Sequence, residues 1–328
     1  MSAPEGNSVR VVIAALLGNL LIAISKFVAA FFTGSAATLA EAVHSVADTV
    51  NQVLLIVGLR RAAHRPTMLH PFGHAVESYF WPFLVSIMIF LLGGAFAIYE
   101  GVSHLRLLLS AHHVAEEQGS SLWSYVVLGT SFAFESYSFA VASSEFKKMR
   151  RGRTVWQTLL HAKDPTIPVV LLEDTAALVG LAIALVAVAL SDVTGWTGFD
   201  AIGSLLIGVV LGAVAYVLAR RTHSLLLGEA ASPEDRERVH EIAREVPGVQ
   251  VVTQLLSMHL GPQHVLLALK VGFDRSLTIQ DVEAAIDTLE ARIREELPRM
   301  RFIFVEPDAD YTVDKDPDRP IPVRGHSA

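Results

Sequence analysis

The stretch GSAATLAEAVHSVADTVN, residues 34–51, decides how the rest of the chain is read. Its small and apolar residues suit a tightly packed helix, yet it carries Glu41, His44, Asp48 and Asn51. Four residues advance a helix by about 400°, so His44 and Asp48 lie on one face a turn apart, with Glu41 and Asn51 on nearly the same stripe. In a soluble helix such a pair is usually a solvated i,i+4 contact. What flanks the stretch removes the solvent.

Working outward, six apolar runs are long enough to cross roughly 30 Å of hydrocarbon, which takes about 20 residues. They lie near 9–32, 38–59, 77–102, 121–145, 167–190 and 198–219. The first, apolar from Val11 to Phe32, is too long for the core of a cleaved signal peptide and is expected to stay in the mature protein. Over the 328 residues the hydrophobic fraction is 52% and the mean hydropathy +0.45, too apolar for one water-soluble domain. Residues 1–228 hold 14 Lys and Arg against 14 Asp and Glu; residues 229–328 hold 12 against 19, which is the whole net charge of −7. That balance, with no basic stripe over a folded region, argues against nucleic acid as a partner. The chain has no cysteine, so a disulfide scaffold and thiolate chemistry are excluded and any metal site must use nitrogen and oxygen donors.

Cations near helix ends are retained on the cytoplasmic side. Arg60, Arg61 and Arg65 follow the second run, Lys147, Lys148, Arg150, Arg151 and Arg153 the fourth, and Arg220 and Arg221 the sixth; the opposite connections hold only Arg106. Both termini are therefore expected in the cytoplasm of a multi-pass protein of the plasma or inner cell membrane. From Ser232 the pattern becomes that of a soluble domain. Ser232-Pro233-Glu234-Asp235 is a helix start, stopped by Pro247-Gly248. Val249–Leu260 and Val265–Phe273 read as a hairpin across Gly261-Pro262, Asp281–Leu297 as a helix and Phe302–Val305 as a last strand. The expected organisation is a six-helix transmembrane transport domain over 1–228, an αββαβ domain over 229–310 and a disordered tail over 311–328.

A charge at the centre of a membrane helix costs about 2.5–3.5 kcal/mol on insertion scales, so each one is a functional hypothesis. Besides the opening stretch, the runs contain Lys26 in the first, Glu100 near the end of the third, Glu135 in the fourth, and Glu173 and Asp174 near the start of the fifth. An imidazole and a carboxylate a turn apart can bind one divalent cation. Two ligands do not hold it tightly, so a second helix must contribute, and Glu173-Asp174 is the other deep acidic pair. Those two point about 100° apart, so one of them, by preference Asp174, is expected to face His44 and Asp48. Such ligands release protons to take up metal, and in a membrane bundle that linkage becomes antiport. A monovalent cation/proton exchanger is the alternative, although it would use carboxylates alone. Neither HExxH nor GxSxG occurs, which argues against an intramembrane hydrolase.

The run from Gly34 to Asp48, the loop His70-Pro71-Phe72-Gly73-His74 leading into Glu77, and Tyr99-Glu100-Gly101 resemble the cation diffusion facilitator family over roughly residues 9–308. The resemblance implies six membrane helices, a ferredoxin-like cytoplasmic domain, a homodimer, and proton-coupled export of zinc or a related divalent ion as substrate, with no tightly bound cofactor. It implies a transport site made by His44, Asp48 and Asp174, and a second metal site in the loop at His70 and His74. Where the family commonly has a further ligand one turn before Asp174, this chain has Val170, leaving Glu173, Glu135, Asn51 or water to complete the site. The acid that often precedes the loop histidines is Thr67, and the histidines expected in the terminal domain are replaced by Thr253, Leu269 and Val305.

Overall fold

The computed structural model describes residues 5–33, 36–109, 121–150, 152–196 and 198–308, with the side chains of 5–7, 30, 32–33, 36–41, 43–44 and 121–124 left out. The chain divides into two compact units, one of Met1–Arg65 and Glu77–His223, the other of Pro66–Val76 and Ser224–Ala328. The loop carrying His70 and His74 thus groups with the C-terminal unit. The tail read over 311–328 lies outside the described residues.

The first unit is helical. Its elements are α1 (Glu5–Thr33), α2 (Ala36–Ala62), α3 (Glu77–Met88) running through a π-helical segment (Ile89–Ala95) into α4 (Phe96–Leu109), α5 (Ser121–Met149), a short α6 (Val155–His161), α7 (Thr166–Thr194) and α8 (Gly198–Leu227). Among the described residues, four stretches are long and apolar enough to cross a membrane: Ser8–Ala29, Glu77–Leu109, Thr166–Thr194 and Gly198–Leu227. The other two long helices, α2 with 27 residues and α5 with 29, are less apolar. Both carry buried polar side chains: Ser45, Asn51 and Gln52 on α2, and Ser131, Glu135, Ser138 and Glu145 on α5. Their neighbours cover them, since α1 packs against α2 and α5 while α5 packs against α7. In lipid no hydrophobic force drives such packing, so close approach and interhelical hydrogen bonds hold the helices together. A Cβ on Gly94 would meet Gly208 O at 3.3 Å and Gly212 N at 3.1 Å, so glycine on both sides lets the π-helical segment lie backbone to backbone on α8. Val11, Val12, Leu55, Val85, Phe146, Val169, Val170 and Leu218 close the apolar core of this unit. Val170, which stands at the family's ligand position, is fully buried among them.

The second unit contains α9 (Pro233–Arg244), β1 (Val249–Gly261), β2 (His264–Phe273), α10 (Ile279–Glu296) and β3 (Met300–Pro307). Both helix starts are capped: Ser232 Oγ accepts from Asp235 N, and Thr278 forms a capping box with Asp281. The sheet has the order β1-β2-β3, with β1 antiparallel and β3 parallel to the central β2. Alternation along β2 sends Val265, Leu267, Leu269 and Val271 to one face, where Val239 and Ile242 of α9 and Leu289 and Ile293 of α10 cover them. That core explains two of the missing histidines: Leu269 is buried in it and Val305 packs against it, while Thr253 Oγ1 donates to Lys270 O.

Candidate metal centre

The polar groups of the bundle meet where α2, α5 and α7 carry their buried faces. On α2, Asp48 is half-buried, and Asn51 and Gln52 are 3% and 0% exposed. On α7, Asp174 is buried at 1% exposure and Glu173 half-buried. The two carboxylates engage different helices. Glu173 reaches α2, where its oxygens accept from Asn51 Nδ2 at 3.3 Å and Gln52 Nε2 at 2.7 Å. Asp174 reaches α5 and accepts from Ser138 Oγ at 2.7 Å. The physical reason is the 100° step between consecutive helical residues, which aims one side chain at each of two flanking helices.

Glu135, buried on α5, lies within electrostatic reach of Asp174, Asp48 and Lys26, the last a half-buried residue of α1. Glu173 is within reach of Asp48, Asp174 and Glu135. Four carboxylates thus share one region, and Lys26 lies within electrostatic reach of Glu135 among them. Negative charge so far from water requires compensation by a cation or by protons. Glu41 and His44 occupy helical positions of α2, but their side chains lie outside the described residues. Among the described residues, no group of three His, Asp or Glu side chains stands close enough to hold one metal ion.

Gln52 and Ser138 were not singled out in the sequence. The signal for Gln52 is two consecutive carboxamides, Asn51-Gln52, inside a membrane helix. The signal for Ser138 is its place one turn from Glu135, on the stripe Ser131, Glu135, Ser138, Ala142 that α5 buries.

In the loop, His70 and His74 place their rings with centroids 4.7 Å apart and tilted by 45°. Thr67, at the position where an acid is common, closes the turn instead: its hydroxyl oxygen accepts from His70 N at 3.1 Å, and Gly73 takes φ 85° to bring its own N–H back to His70 O. Phe72 packs edge-on against Phe302 of β3, with ring centroids 5.1 Å apart, inside the same unit.

Residues 12–227 match the cation efflux transmembrane domain, and residues 231–309 match the cytoplasmic domain of cation efflux proteins. The protein named proton-coupled zinc antiporter SLC30A9, mitochondrial, is 33% identical in both mouse and human over 267 residues, 81% of this chain and 46% of theirs. Metal tolerance protein C4 of Arabidopsis thaliana is 32% identical over 279 residues, 84% of this chain and 60% of its own length. The chain spans about half the length of the mammalian relatives it matches. Their names place those proteins in mitochondria, which overturns the expectation of a plasma or inner cell membrane; the multi-pass membrane reading stands. With a transmembrane match along the helical bundle and a second match along the αββαβ unit, the chain belongs to the cation efflux family, the cation diffusion facilitators.

Proposed function

We propose that this protein exchanges a divalent metal cation, Zn²⁺ foremost, for protons across a membrane, and that His44 and Asp48 of α2 with Asp174 and Glu173 of α7 hold the cation or the protons in turn. The observation that carries this reading is the anchoring of two α7 carboxylates on two different helices, Glu173 on Asn51 and Gln52 and Asp174 on Ser138. A change in the packing of α7 against either neighbour alters the set of donors facing a bound ion. Metal uptake requires deprotonated ligands, so loading expels protons and reprotonation releases the metal.

The names of the relatives, a proton-coupled zinc antiporter and a metal tolerance protein, support the same exchange, and the mammalian names support a mitochondrial membrane as its place. The metal is cargo and no resident cofactor is involved. The adjoining rings of His70 and His74 offer a second binding position, and the αββαβ domain pairs two copies into a homodimer.

Purified protein in liposomes carrying a pH-sensitive dye tests the exchange. External Zn²⁺ should drive proton movement that falls to the background of empty liposomes with His44→Ala, Asp48→Ala or Asp174→Ala. Proton flux equal to wild type in these variants overturns the scheme.

A further inference from the structure

Asn51 Oδ1 and Gln52 Oε1 are buried, and neither has a hydrogen-bond partner among the described residues. Their nitrogens are not idle: both donate to Glu173. A buried carbonyl oxygen left without a donor bears the full desolvation penalty of that group, and two on consecutive residues of one helix double that liability. An amide kept only to tie α2 to α7 would not need its oxygen left bare. The arrangement is electrostatically ordered, because the Glu173 carboxylate holds the amide N–H groups toward itself and so turns both carbonyl dipoles away with their negative ends free. A carboxylate behind an amide increases the negative charge on the amide oxygen, as a carboxylate behind a metal-binding imidazole raises its basicity.

From these two oxygens and the carboxylate that orients them, we infer that Asn51 and Gln52 form an oxygen-donor subsite for a divalent cation, which adjoins the transport site of His44, Asp48, Asp174 and Glu173 through their shared Glu173. Asn51 lies three residues beyond Asp48 toward the arginines that end α2, about 4.5 Å along the helix axis. A cation moving between that basic end and Asp48 passes the amides. Neutral amide oxygens are hard donors that suit Mn²⁺ and partly hydrated ions, and they bind weakly enough to release their guest. The subsite is a staging position within the transport path, and the inference rests on the reading that the bundle moves divalent cations.

The test exploits donor softness. Full-length protein is reconstituted in nanodiscs of zwitterionic lipid. Mn²⁺ binding is followed by electron paramagnetic resonance and Cd²⁺ binding by competition with Mn²⁺, for wild type, Gln52→Leu and Gln52→Met. Methionine nearly matches glutamine in volume and replaces the hard oxygen with a soft sulfur. Gln52→Leu should weaken both metals about tenfold, the scale on which supporting polar groups act at metal sites. Gln52→Met should weaken Mn²⁺ to a similar extent while retaining Cd²⁺, so the Cd²⁺ to Mn²⁺ preference rises about tenfold. An unchanged preference overturns the subsite, whether both metals bind as in wild type or both are lost equally as a positioning role would produce. Should the Gln52 variants not be monodisperse, Asn51→Cys, the sole thiol of the chain, gives the same hard-to-soft exchange. Failure of the antiport reading is distinct: it is wild-type protein that shows no metal-driven proton flux, whatever its equilibrium metal preference.

Discussion

Ser138 shows what one hydroxyl does for a buried carboxylate. Its Oγ donates to Asp174 Oδ2 at 2.7 Å, and both residues are nearly sealed, at 2% and 1% exposed. The bond fixes the orientation of Asp174 before any ion arrives. Ser138→Ala should therefore raise the Zn²⁺ concentration giving half-maximal proton flux about 10- to 100-fold, the usual loss when a group that holds a metal ligand is removed. Flux titrations in liposomes read this directly, and an unchanged half-maximal concentration would remove Ser138 from the site. Glu173 carries the converse lesson. The sequence reading prefers Asp174 as the acid facing His44 and Asp48; in the structure Glu173 hydrogen-bonds to α2 and Asp174 to α5. Adjacent acids on a helix are separable only by knowing which neighbour stands on each side.

At the scale of elements, one helix start of the soluble unit is readable in the sequence and one is not. Ser232 starts α9 as the sequence reading expects, whereas α10 starts at Ile279, directly after the Thr278 cap and two residues before the Asp281 at which the sequence reading begins it. The Thr278 hydroxyl, followed by its backbone N–H, holds the Asp281 carboxyl below its ordinary range, and Arg292 does the same for Glu245. A carboxyl depressed in the folded state lends stability above its unfolded value and loses it as pH falls through the folded value. The start of α10 should therefore lose protection in hydrogen–deuterium exchange as the pH drops through the carboxylate range. Thr278→Ala should reproduce part of this loss at neutral pH, at a cost of about 1 kcal/mol. Protection at the start of α10 that stays constant with pH would contradict the cap. The membrane helices were harder to rank. The sequence reading treats six runs alike, whereas α2 and α5 are less apolar than the other four because they carry the polar groups that the bundle buries.

For the whole molecule, the two faces of the three-stranded sheet are unequal. The helices cover one face; on the other, Leu256 and Met258 of β1 and Phe304 of β3 are exposed, with Leu266 and Ala268 of β2 paired between them. An apolar sheet face of this kind suits pairing with a second copy. The proposed homodimer should appear by native mass spectrometry as a mass of two 35.5 kDa chains, and Phe304→Asp should shift it toward one. A single-chain mass for the wild type would exclude pairing under those conditions. The loop at 66–76 adds a point that no local pattern signals: it groups with the αββαβ unit, where Phe72 meets Phe302 across 230 positions of sequence.

By itself the sequence determined the membrane class, the helical bundle followed by an αββαβ unit, and the Ser232 start of α9. Each of these is set by local periodicity or by the cost of placing a charge in hydrocarbon, and both are properties of single segments. Only the tertiary structure decided which helix each α7 carboxylate engages, that Val170 is core, and that Asn51 and Gln52 turn bare oxygens away from Glu173. Those outcomes depend on the rotation of each helix about its own axis, which is set by close packing against its neighbours.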